Sequence, residues 1–116
     1  MTLQAGWTVA EVERLLERDD PGELLNVAIA VSLDPPDCAW AERICIRLAA
    51  HSVANVRGNA ILGFGHLARV CGALDEARVR PLIDAALDDP SDYVRGQAHA
   101  AADDLAHFLG WRDLPA

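Results

Sequence analysis

Val56-Arg57-Gly58-Asn59-Ala60 and Val94-Arg95-Gly96-Gln97-Ala98 are near-copies of one pentapeptide, and they stand 38 residues apart. The register continues beyond them: Leu67 aligns with Leu105, Ala68 with Ala106, and Val70 with Phe108. A period near 40 residues that carries helical patterning is the signature of stacked helical repeats, in which each unit buries its apolar stripe against the next.

Outward from the pentapeptides, the apolar positions fall at helical spacing. Val56, Ala60, Gly63, Leu67 and Val70 are separated by four, three, four and three residues, an inward stripe for a helix opened by Ser52 and ended by Gly72. The last helix starts at Ser91, with Val94, Ala98, Ala101, Leu105 and Phe108 inward. Gly110 stops it and lets Trp111 fold back near Ala106. Before each long helix lies a shorter one. Asp37 caps one with Ala41, Ile44, Cys45 and Leu48 inward; Asp75 starts another with Val79, Leu82, Ile83, Ala86 and Leu87 inward and Pro81 in its first turn or at a kink. Thr8 and Glu11 form a capping box at the first helix, whose stripe is Val12, Leu15 and Leu16. Asp19-Asp20-Pro21-Gly22 is a turn, and a second helix runs from about Glu23 to Leu33, where Pro35 and Pro36 stop it. No strand-like alternation occurs. The expectation is one all-α domain of three hairpins, about 8–33, 37–71 and 75–110, the first repeating the shape but not the motif.

The chain resembles the HEAT-repeat family. The resemblance rests on the turn Asp89-Pro90-Ser91-Asp92-Tyr93-Val94-Arg95, on Ala98 and Leu105, and on the earlier echo Asn55-Val56-Arg57, Ala60 and Leu67. Pro81, in the first helix of its repeat, also fits. It covers 37–110 well and 8–33 loosely. It implies a short right-handed α-solenoid, and these motifs specify architecture far more than function.

The chain has 116 residues, 52% hydrophobic but only 5% aromatic, so its core is mostly Ala, Leu, Val and Ile. A net charge of −8 counts against nonspecific nucleic-acid or anionic-membrane binding, both of which need basic surface. Leu24–Leu33 is about half a bilayer span, so no transmembrane helix is expected, and the N-terminus lacks a signal-peptide pattern. Cys38, Cys45 and Cys71 are odd in number and form no CxxC, which reads as three reduced thiols in a cytoplasmic protein.

Arg57 and Arg95 recur in register just after their turns. Their structural reading is a bond to turn carbonyls or to an acid such as Asp92; the alternative is an arginine row for an anionic ligand. Gly58 and Gly96 recur too, and Gly63 and Gly65 lie inside the same helix as Gly58, which asks for close packing or close approach by a partner. His99, Asp103 and His107 share one side of the last helix. The two histidines are about 12 Å apart along the axis, so one ion cannot take both, and no third ligand is evident beside either with Asp103. The stripe is a solvated face or a partner contact. Asp84, Asp88, Asp89, Asp92, Asp103 and Asp104 cluster around the last hairpin, either solvated or as a patch for a basic partner.

HExxH is absent, and Ser52 and Ser91 read as caps. Two enzyme classes share the HEAT-like fold. Iron hydroxylases of the deoxyhypusine type need His-Glu pairs, whereas His51, His66, His99 and His107 are followed by Ser, Leu, Ala and Phe. DNA glycosylases need a basic groove. The expectation is therefore a non-enzymatic protein-binding scaffold without cofactor or bound metal. Its partner surface would lie at Asp88, Asp89, Asp92, His99, Asp103, Asp104 and His107, with Arg57, Gly58, Arg95 and Gly96 building the repeat. In fold, size and charge it is similar to bacterial immunity proteins that neutralise basic nuclease toxins. Two alternatives stand beside this: a metal or enzyme site at His99, Asp103 and His107, and a purely structural subunit or homo-oligomer in which exposed Ile61 and Leu62 pack against a second copy of the chain.

Overall fold

The computed structural model describes residues 3–114. Helices α1 (Val9–Arg18), α2 (Pro21–Leu24), α3 (Val27–Leu33), α4 (Cys38–Ala49), α5 (Ala54–Cys71), α6 (Glu76–Leu87) and α7 (Asp92–Leu109) account for its regular structure, with no strand among the described residues. None of these helices is long and apolar enough to cross a membrane.

The starts and stops are chemical. Thr8 accepts the Glu11 amide at 3.2 Å, Asp37 that of Trp40 at 2.8 Å, and Ser91 that of Val94 at 3.4 Å. α5 begins at Ala54 rather than Ser52; its N-cap is Val53, which offers no side-chain acceptor. Gly72 and Gly110 end α5 and α7 at φ 70° and 67°, where a Cβ would be strained. The amides of Gly110 and Trp111 then close onto the carbonyls of Ala106 and Leu105.

The expected single helix over 23–33 is broken at Leu25–Asn26. Asn59 Nδ2 of α5 donates to the Leu25 carbonyl at 2.6 Å, and Asn26 leaves helical geometry at φ −108°, ψ 7°. Asparagine competes poorly for helix interiors, so the break falls there.

Matched contacts fix the directions of the elements. Leu25 meets Asn59 and Ser32 meets His66, so α3 and α5 advance together. Gly58 lies against Val94 and Gly65 against Ala101, so α5 and α7 do the same. Between α4 and α5 the order reverses: Cys38 meets Cys71, and Cys45 meets Gly63. The result is a layer of parallel helices, α3, α5 and α7, with α4 antiparallel to α5 and α6 packed on α7.

The core runs continuously through these elements, from Val12, Leu16 and Leu24 through Val31, Leu48, Phe64 and Leu67 to Ile83, Val94 and Leu105. Three apolar assignments differ from expectation. Val70 and Phe108 are 45% and 42% exposed, because each sits in the final turn of its helix beyond the neighbouring layer. Ile61 is 1% exposed, which removes it from any self-association surface.

Cys38 and Cys71 form a disulfide with a Cα–Cα distance of 6.1 Å, which corrects the reading of three reduced thiols. The pairing follows from the antiparallel hairpin, which places the first residue of α4 beside the last of α5, and linear spacing does not reveal it. The argument for a reducing compartment falls with it. Cys45 remains a thiol, fully buried; burial, and next the charge of Glu42, pushes its pKa up to about 12.

Candidate partner-binding face

The repeated arginines converge on one turn. Arg57 donates from Nε and Nη2 to the two carboxylate oxygens of Asp89 at 2.7 and 2.8 Å, and from Nη1 to the carbonyls of His51 and Ser52 at 3.0 and 3.1 Å. Arg95 donates to the Asp89 carbonyl at 2.6 Å and to the Asp92 carboxylate. Asp89 also accepts the Ser91 amide at 2.9 Å. This one aspartate thus binds arginines from both repeats. The Arg57 fork holds the Asp89 carboxyl below its ordinary pKa, and Asp89 in turn raises that of Arg57.

A second strut crosses three helices. The Tyr93 hydroxyl donates to Asn59 Oδ1, and Asn59 Nδ2 donates to Leu25. The Tyr93 ring occupies the space left by Gly58: a Cβ there would stand 2.8 Å from it. Gly65 makes similar room for Asp104, and Gly63 for Cys45. The glycines of α5 therefore serve close packing within the layer. Gly96 differs, with nothing within 4 Å of its Cβ position.

These ties sort the expected acidic face. Asp89 is engaged by Arg57 across the repeat junction, whereas Asp92 pairs with Arg95 within α7 and stays exposed. Asp104 is half-buried against Gly65. Asp88, at the C-cap of α6, is exposed, and so are His99, Asp103 and His107 along the outer side of α7. His107 sits edge-on to the exposed Phe108 ring, with centroids 4.6 Å apart. Among the described residues no three His, Cys, Asp or Glu side chains converge as a metal site would require.

Sequence reasoning missed Asn59, Tyr93 and the Ser32–His66 pair. The available signal was that Asn59 and Gln97 occupy the same register with unlike side chains, one buried and one partly exposed. Ser32 is fully buried; its hydroxyl donates to the Ile29 carbonyl at 3.1 Å and lies 3.0 Å from His66 Nδ1. Without solvent access, this hydroxyl ties α3 to α5. Burial, then the charge of Arg69, lowers the His66 pKa, partly offset by Asp104.

At the far end, His51 Nε2 meets Asp19 at 2.9 Å while its Nδ1 accepts the Val53 amide at 3.0 Å. Both ring nitrogens are therefore engaged, Nε2 joining the end of α1 to the α4–α5 turn and Nδ1 bracing that turn. This pair lines an open cavity of about 450 Å³ with Glu17, Arg47 and Ser52. No protein-family model, curated protein or solved structure matches the chain.

Proposed function

We propose that this chain is a non-catalytic, HEAT-like α-solenoid scaffold that binds a basic protein surface through the outer side of its second-helix layer. The observation that carries the reading is the division of polar side chains. Arg57, Arg95, Asp89, Asn59 and Tyr93 are spent on joining the helices, whereas Asp88, Asp92, His99, Asp103 and His107 face solvent, Asp92 pairing only with Arg95 of its own helix. Exposed carboxylates on a chain of net charge −8 attract a cationic partner and speed its association. An immunity protein that neutralises a basic nuclease toxin is the specific form of this reading.

The test is binding to the product of an adjacent toxin-like reading frame, titrated across a salt series. Asp88→Lys with Asp103→Lys is the appropriate pair, since Asp89 and Asp104 have packing roles that substitution would disturb and Asp92 pairs with Arg95 in the first turn of α7. Affinity should fall about tenfold or more at low salt, with a shallower salt dependence. Equal affinity of the variant and the parent chain at every salt concentration would refute the acidic-face reading.

A further inference from the structure

The Cys38–Cys71 bond lies at the surface, at one end of the α4–α5 hairpin. Cys38 is exposed and Cys71 half-buried, whereas the only remaining thiol, Cys45, is fully buried with its pKa raised. Beside the bond opens a shallow cavity of about 250 Å³ lined by Cys38, Ala39, Glu42, Ala73, Leu74 and Asp75. Its floor is apolar, and its charged members are Glu42 and Asp75, with the N-cap Asp37 adjacent in sequence. No basic side chain lines it.

We propose that Cys38–Cys71 is a reversible thiol-exchange site, selective for small neutral or cationic thiols over anionic ones. The cavity gives an external thiol room to reach Cys38 Sγ, and the carboxylates repel a negatively charged one. In the first step an external thiolate attacks Cys38 Sγ. The S–S bond breaks, and Cys71 leaves as a thiolate that takes a proton from water. A second external thiolate then attacks the external sulfur of the mixed disulfide and releases Cys38. Two external thiols are oxidised to a disulfide, and the protein gains two electrons and two protons.

Reduction acts locally. The link from α5 to α6 has a second tie to α4, the Asp75 amide donating to Glu42 Oε1 at 2.7 Å, and the Cys45–Gly63 contact holds the middle of the hairpin. Cys45 takes no part, because no path brings it to the surface. None of this depends on partner binding.

The experiment compares cysteamine, cationic at its amine, with 2-mercaptoethanesulfonate, each at matched thiolate concentration, on the oxidised full chain without denaturant. Alkylation and mass spectrometry read the freed thiols. Cysteamine should open the bond at least about threefold faster at low salt, with the ratio approaching one in 0.5 M salt and narrowing in Glu42→Gln. Helical circular dichroism should persist after reduction, and Cys45 should stay unmodified. In single variants treated with cystamine, Cys38 of Cys71→Ser should form the mixed disulfide faster than Cys71 of Cys38→Ser. A bond that yields only in denaturant, equal rates for the two thiols, loss of helicity on reduction, or the reverse order in the single variants would each overturn the proposal.

Discussion

Asp89 illustrates how one residue acquires its role from two repeats at once. Its carboxylate is 12% exposed, takes both arms of the Arg57 fork, and would leave that guanidinium unpaired if truncated. Asp89→Ala should therefore cost about 2–4 kcal/mol, measured by urea unfolding. The pH dependence has a definite sign. A carboxyl held below its ordinary pKa stabilises the fold at all pH above the unfolded value near 4, and that contribution fades as pH falls through the folded value. Asp89→Asn should flatten the acid limb of the stability curve; an unchanged limb would mean other carboxylates govern it. The glycines of the pentapeptide give a sharper contrast. Gly96→Ala meets open space in a helix interior and should stabilise by about 0.5–1 kcal/mol. Gly58→Ala drives a methyl into the Tyr93 ring, which is anchored through Asn59, and should lose that gain or reverse it in the same thermal melts. Arg57 and Arg95 were readable because they recur; Asn59 and Tyr93 do not, since Gln97 and Asn55 stand at their alternate registers. A strut used once leaves no periodic trace.

Helices α4 to α7 were legible in the sequence because their apolar stripes and stop signals are local: Asp37 and Ser91 cap α4 and α7 with acceptor side chains, and left-handed glycines end α5 and α7. The break between α2 and α3 was not, because Asn26 alone only disfavours a continuing helix, and the bond that takes up the Leu25 carbonyl comes from a residue 34 positions later. The same holds for the disulfide, whose loop closure is set by how α4 folds back on α5. A separation of 33 residues corresponds to about 3–4 kcal/mol of unfolded-state entropy, so Cys38→Ser with Cys71→Ser should lower stability by up to that amount. Calorimetry of the double variant beside the oxidised parent measures it. At the α3–α5 contact, His66 adds a pH term of its own. Its folded pKa lies below the usual histidine value, so the unfolded chain binds the proton first. Stability should decline as pH falls from about 6.5 toward that lower value, and His66→Gln should remove the decline in pH-dependent urea titrations.

At the scale of the whole molecule, aromatic contacts tie the segments that flank the helix layer. Trp7 stacks on Trp40 with centroids 6.2 Å apart, and Arg80 lies 5.4 Å over the Trp111 ring. Charge works against the compact state instead. The chain has 18 acidic residues to 10 arginines, and among the described residues four of those arginines, Arg18, Arg57, Arg80 and Arg95, already pair with a carboxylate. The remaining imbalance is self-repulsion over a body with a radius of gyration of 13.1 Å, not much more than the Debye length of about 10 Å at 0.1 M salt. Added salt should therefore raise the melting temperature, because it screens long-range repulsion more than the Arg57–Asp89 fork, which is largely shielded from solvent. Melting in 0.02 M and 0.5 M sodium chloride at pH 7 checks this. A melting temperature that falls with salt would place surface ion pairs above net repulsion. The Asp88→Lys, Asp103→Lys chain separates the two further: relief of repulsion predicts that it gains stability at low salt and loses that advantage at high salt.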